Sequence, residues 1–284
     1  MDSTSPRVIR NTLNQWRITA KKGLGQHFLA DTEVLQTIIS TADITPGDII
    51  IEIGPGLGLL TSELAKKAGK VIAIELDNKL VNILRRTMIH RDNIQVVHAD
   101  ILKIDPYQEI RPRSSYKIVA NLPYNIASAT IQHILECPVK PTLMVVMVQK
   151  EVADAIAAPP GRMRLLSVII QVNARVEVIT KVPPKSFYPQ PKVNSAIIRL
   201  VPHTLPVVEA ADVKAFLDFV ASGFSQPRKQ LGNSLSQGLH LPNVQITDLL
   251  TVANIDRHRR AETLSINEWV MLWRCFCSME ICPQ

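Results

Sequence analysis

Residues 121–126 read NLPYNI, directly after the short apolar run YKIVA. A turn calls for Asn or Pro but has no use for a tyrosine. Asn121 carries a side-chain carbonyl that accepts a hydrogen bond, and the main-chain carbonyl of Leu122 supplies a second acceptor. Pro123 stiffens the loop, and Tyr124 offers a flat ring. Two acceptors beside a ring suit a planar base with an amino group, the acceptors holding the nitrogen while the ring stacks. An amino nitrogen conjugated to a purine is a poor nucleophile, because its lone pair is delocalised. Holding it in line with an electrophilic carbon would then supply much of the rate. Stacking needs the ring rather than the hydroxyl, so Tyr124→Phe is expected to be nearly silent.

Such residues need a rigid frame. From Asp48 to Val148 short Val/Ile-rich runs (DIIIEI, KVIAIEL, IQVVHAD, YKIVAN, PTLMVVMV) alternate with helical patterns such as LLTSELAKKA and NKLVNILRRTM. Continuous apolar runs fit parallel strands covered on both faces. The pattern predicts an α/β, doubly wound, Rossmann-like sheet, whose ligands bind outside the carboxyl ends of the strands. RVEVITKVPPKSFYPQPKVNSAIIRLV reads as two further strands joined by a proline-rich loop. Beyond PHTLP the patterns turn helical (DVKAFLDFVASGF, QITDLLTVANI, SINEWVMLWRCF). The expected division is a sheet domain over 1–205, with an N-terminal extension over 1–20, and a smaller all-α domain over 206–284.

The predicted strand ends carry the remaining chemistry. The first runs into EIGPGLG, where Gly54, Gly56 and Gly58 let the backbone approach a ligand. The second ends in Glu75, whose carboxylate can accept from both hydroxyls of a ribose. The third ends in Asp100, placed to accept from an adenine amino group. Each has a structural reading too: glycine turns are common, Asp100 could cap a helix, and Glu75 could pair with a lysine. Their register on successive strands favours an adenosine-containing ligand. A nicotinamide cofactor prefers G-x-G-x-x-G, but here Leu59 occupies the third glycine's place. E-x-G-x-G-x-G is instead the pattern of S-adenosylmethionine-dependent methyltransferases.

The net charge is +7. Between Ala155 and Val201 seven basic residues face one acid, Glu177; Arg228 and Lys229 form a second basic group, and DRHRR a third. Unbalanced basic surface is what a phosphate backbone requires. No apolar stretch approaches the roughly 20 residues that cross a bilayer. The first twenty residues lack a signal-peptide core, so no membrane partner and a cytoplasmic location are expected. Cys137, Cys275, Cys277 and Cys282 lack the spacing of a metal site and read as reduced, packed thiols; no metal is expected.

NLPY is similar to the [N/D]-P-P-[Y/F] motif of amino-methyltransferases, in the leucine-containing form of rRNA adenine dimethyltransferases. KKGLGQHFL (21–29) resembles that family's K-x-x-G-Q-N-F-L, with His27 where Asn is commoner. VVMVQKEVADAI, FYPQPKVNSAIIRL, FSQPRKQLGNSL and RAETLSINEW match it downstream, so that the resemblance spans about residues 20–275. The C-terminal motifs resemble the KsgA (RsmA) branch rather than the antibiotic-resistance Erm branch, with its N-I-P-Y-H and its 23S rRNA substrate. The resemblance implies S-adenosyl-L-methionine as cofactor, held by His27, Leu29, Gly54, Glu75, Asp100 and Asn121, with Gly56 in the same glycine turn. It implies that Tyr124 and Phe187 flank the target adenine and that Arg228 and Lys229 grip RNA, with Pro227 where the family usually has a basic residue. The implied reaction is N6,N6-dimethylation of two adjacent adenosines near the 3′ end of 16S rRNA, in the 30S subunit or its precursor, by a monomer. A competing reading is a ribosome-assembly factor that acts mainly by binding.

Overall fold

The computed structural model describes residues 5–21, 23, 25–113, 115–205, 207–209 and 211–279. Lys22 and Leu24 of the N-terminal motif, residues 206 and 210, and Cys282 lie outside the described residues. The chain divides into two compact units, residues 1–153 with 176–202 and residues 154–175 with 203–284.

The first unit is built on a seven-stranded sheet of order β4-β3-β2-β5-β6-β9-β7. β2 (Ile49–Ile53), β3 (Lys70–Glu75), β4 (Ile94–His98), β5 (Lys117–Asn121) and β6 (Leu143–Gln149) are parallel. Their ends fall within about two residues of the apolar runs, because burial on both faces demands an unbroken run. β2 is buried along its whole length, whereas β4, at the sheet edge, is only half-buried. β9 (Ser195–Pro202) runs antiparallel to β6, and β7 (Ala174–Val182) forms the other edge. Strand order reverses between β2 and β5, the point where a doubly wound sheet opens a crevice at its carboxyl edge.

α3 (Leu59–Ala65), α4 (Asn78–Thr87), α5 (Ala127–Glu136) and α6 (Lys150–Ile156) follow β2, β3, β5 and β6. Ahead of the sheet lie α1 (Pro6–Gln15), β1 (Phe28–Leu29) and α2 (Thr32–Thr41). β1 pairs antiparallel with β8 (Phe187–Tyr188), in the register Phe28↔Tyr188 and Leu29↔Phe187. The proline-rich segment between β7 and β9 therefore contains this short strand, after one helical turn over Pro184–Ser186.

The second unit is helical: α7 (Leu165–Gln171), α8 (Val213–Phe224), α9 (Leu231–Leu239), α10 (Asn243–Val252) and α11 (Ile266–Ser278). It takes in residues 154–175, which the expected division at residue 206 leaves with the sheet. The reason is packing, since Met163, Val168 and Val172 share one buried cluster with Phe216, Leu235 and Trp269. α11 starts at a capping box in which the Ser265 Oγ accepts from the Glu268 amide at 3.3 Å and Glu268 Oε2 accepts from the Ser265 amide at 2.8 Å. The Arg259 guanidinium pairs with Glu268 and, as the main cause, holds its carboxyl down at about 2. Arg259 of the DRHRR group therefore serves the fold.

Candidate active site

The carboxyl edge of the sheet is where the predicted residues meet. After β2 the chain turns at Gly54 with φ +67°, where a Cβ would lie 3.2 Å from the Pro123 ring. Only glycine allows this turn to rest against the NLPY loop. Glu75 ends β3 and anchors the turn, because its Oε2 accepts from the Gly56 amide at 3.2 Å and its Oε1 from the Asp77 amide at 2.8 Å. Burial pushes the Glu75 carboxyl up, and those amides oppose the rise. Two carboxylate oxygens offer about four acceptor directions, so these amides leave acceptor capacity for a ligand. Asp100 does cap a turn, its Oδ1 accepting from the Leu102 amide at 3.1 Å. Lys103 stands 3.6 Å from its second oxygen.

Asn121 is the last residue of β5. Its Nδ2 donates to the main-chain carbonyl of His27 at 3.0 Å. Because a carbonyl can only accept, this bond fixes the amide orientation and leaves Oδ1 as the acceptor of the pair. Leu122 is buried and donates its amide to the Met147 carbonyl at 3.1 Å, which continues the strand. The His27 ring stacks on Tyr124, with centroids 5.1 Å apart and planes at 30°. His27 Nδ1 bonds the Pro189 carbonyl at 2.7 Å, which places the proton on Nδ1. The Tyr124 hydroxyl lies 2.6 Å from Ser195 Oγ, a fully buried group at the start of β9. Gly25, at φ +62°, lets the N-terminal segment run so close that a Cβ there would meet the Tyr124 amide at 3.0 Å.

These groups surround one cavity of about 360 Å³. His27, Leu29, Gly54 and Gly56 line it, as do Glu75 and Asp100, and Asn121 through Tyr124 close another side. Phe187 stands elsewhere: it pairs with Leu29 in the β1–β8 register and is buried in the core with Leu35, Val182 and Ile197. Alternation along the strand turns its ring inward, so His27 rather than Phe187 lies against Tyr124. Arg228 and Lys229 belong to the helical unit, exposed in the turn between α8 and α9. Among the described residues no group of His, Cys, Asp or Glu could hold a metal ion, and no helix is long and apolar enough to cross a membrane.

Glu52, the acid that opens the glycine motif, has no role that the sequence alone signals. It is almost wholly buried in the cavity wall, with Oε2 unpartnered among the described residues. Burial, reinforced by the charge of Glu75, raises its carboxyl to about 8 against the Thr61 hydroxyl. Ser195 is equally silent in the sequence, for nothing in VNSAII marks its partner 71 residues away. With the Glu52 carboxyl held protonated near neutral pH, Glu75 and Asp100 make the lining acidic, which disfavours the pyrophosphate of a dinucleotide. It favours a ligand that carries cationic groups, as S-adenosylmethionine does in its sulfonium and ammonium, and the residues present therefore fit that cofactor.

Residues 17–272 match the family described as ribosomal RNA adenine dimethylase. The chain is 44% identical over 263 residues to the ribosomal RNA small subunit methyltransferase A of Dehalococcoides mccartyi, covering 93% of this chain and 90% of that one. It is 39% identical over 274 residues to the protein of that name from Alkaliphilus metalliredigens, covering 94% and 96%. Among solved structures it resembles a dimethyladenosine transferase from Plasmodium falciparum, with a TM-score of 0.77, 25% identity and coverage of 89% and 98%. It also resembles the 23S rRNA methyltransferase ErmE, with a TM-score of 0.71, 30% identity and coverage of 87% and 98%. The chain belongs to the ribosomal RNA adenine dimethylase family, and is an enzyme that dimethylates adenine in rRNA with S-adenosylmethionine as its methyl donor.

Proposed function

We propose that this enzyme converts two adjacent adenosines near the 3′ end of 16S rRNA to N6,N6-dimethyladenosine, on the 30S subunit or its precursor, as a cytoplasmic monomer. The small-subunit assignment is supported by the name of the relatives at 44% and 39% identity. The observation that carries the chemistry is the Asn121 amide, held by the His27 carbonyl so that Oδ1 faces outward as an acceptor. Oδ1 and the Leu122 carbonyl accept from the target amino group and hold its nitrogen in line. Pro123 limits the loop's motion, and Tyr124, backed on one face by His27, stacks the base on the other. Glu75 takes the ribose hydroxyls of the cofactor and Asp100 its adenine amino group. Gly54 and Gly56 admit its amino-acid tail, while His27 and Leu29 close the wall. Phe187 supports β1 from the core. The bound cofactor supplies a methyl group on a sulfonium, open to in-line displacement. Once methylated, the amino cation is acidic enough to lose its proton to water.

Incubating 30S precursor with labelled methyl donor and mapping the modified bases tests this reading. Two adjacent dimethylated adenosines in 16S rRNA are expected; label confined to 23S rRNA would overturn the small-subunit assignment. A protein that speeds particle maturation without transferring label would instead be an assembly factor.

Two results on the binding groups are expected. Glu75→Ala should weaken cofactor binding roughly 10- to 150-fold, the equivalent of about 1.5–3 kcal/mol for a hydrogen bond to a charged group. RNA affinity should hardly move, and calorimetry giving unchanged cofactor affinity would remove Glu75 from the site. We assign Arg228 and Lys229 to phosphate contacts. Replacing both with Ala should lower particle affinity and reduce the slope of log K against log salt by about 1.5 to 2. An unaltered slope would mean that the pair faces solvent.

A further inference from the structure

The N-terminal extension has no part in the reaction as set out so far, yet some of it lies on the cavity. α1 starts cleanly, with the Val8 amide donating to Ser5 Oγ at 3.3 Å and Pro6 in the first turn. It buries Ile9 and Leu13 against Phe28 and against Leu80 and Ile83 of α4, while Arg10 and Asn11 face solvent. Val8 and Thr12, one turn apart, share a face beside the buried one, and both line the cavity. The Thr12 hydroxyl donates to the Val8 carbonyl at 3.0 Å. What α1 presents to the cavity is therefore hydrocarbon, beside a lining that is mostly glycine and aliphatic and carries the carboxyl groups of Glu52, Glu75 and Asp100. The chain between α1 and β1 is pinned beside the same site. Lys21 Nζ lies 2.7 Å from Asp77 Oδ2, and the Asp77 amide donates to Glu75.

We infer that α1 is a wall of the cofactor pocket and that Val8 and Thr12 touch bound S-adenosylmethionine. The inference rests on the assignment of the cavity to the cofactor. A small probe at position 8 tests it without disturbing the packed face. Full-length Val8→Cys is alkylated with N-ethylmaleimide, with and without saturating S-adenosylhomocysteine, and the adduct is located by peptide mass spectrometry so that native thiols do not interfere. Since a bound ligand loses most of its surface to its pocket, alkylation at position 8 should slow about tenfold or more. Leu76→Cys, in the cavity lining beside Glu75, should slow likewise, and Asn11→Cys on the solvent face should not. Protection at 76 without protection at 8 would overturn the role of α1 alone. Protection at neither would overturn the cavity assignment beneath it. Equal protection at 8 and 11 would mean that the whole helix tightens, and would overturn direct contact.

Discussion

Asn121→Ala is expected to slow methyl transfer on the order of 100-fold, the loss that misplacement by about 1 Å can produce. In the proposed role the residue acts twice, once by holding the target nitrogen through Oδ1 and once through the observed bond from Nδ2 to the His27 carbonyl, which ties down the NLPY loop. Alanine removes both. Asn121→Asp should also fail, because its second oxygen cannot donate and would face the His27 carbonyl oxygen. The particle should remain bound, since the exposed basic side chains are untouched. Single-turnover methylation of 30S precursor under saturating cofactor provides the measurement. A rate for Asn121→Ala within about threefold of the parent would show that the nitrogen is positioned by other groups.

The second large effect concerns Tyr124. Removing the ring in Tyr124→Ala should cost roughly 1–3 kcal/mol of stacking, or about 5- to 150-fold in rate. From the sequence, Tyr124→Phe looks silent, but the 2.6 Å contact with buried Ser195 revises that expectation. Phenylalanine would leave Ser195 Oγ without its partner and the ring held only by its face on His27. A net hydrogen bond of about 0.5–1.5 kcal/mol corresponds to a drop of roughly 2- to 12-fold. Ser195→Ala should give a similar drop, and the double variant should be no worse than either single one, because both lose the same bond. If Tyr124→Phe were as damaging as Tyr124→Ala, the hydroxyl would take part in the chemistry and the stacking account would fail.

The parallel strands and the residues at their ends were legible because burial on both faces writes an apolar run, and a ligand edge then places its polar residues at the end of each run. Other features are written in distant partners. α9 reads LGNSLSQGL, a poor helix by composition, and Gly238 is there because a Cβ would come within 2.7 Å of Ser222. α1 buries only Ile9 and Leu13, so its apolar stripe is narrow among polar residues, although Ser5 followed by Pro6 is a helix-start signal in the local sequence. Phe187 resembles a base-flanking ring by motif, yet strand alternation decides which way it points. The partnership of Tyr124 with Ser195 depends on where β9 runs, which no local pattern records.

The order of synthesis bears on the rim of the pocket. His27 meets Pro189 across 162 residues, Asp31 meets Ser186 across 155, and among the described residues β1 pairs with β8 alone. A nascent chain emerges from its N-terminus first, so the segment carrying His27 waits, without its strand partner, until residues 187–189 have been made. The parallel strands β2 to β6 are all complete by Gln149. A chain interrupted between these two points would hold the glycine turn and NLPY on a finished parallel core but would lack the strand that docks His27. The Asn121 amide would then have no fixed orientation. If Asn121 positions the target nitrogen as proposed, competence for methyl transfer is a late property of the growing polypeptide, acquired after the parallel sheet it stands on.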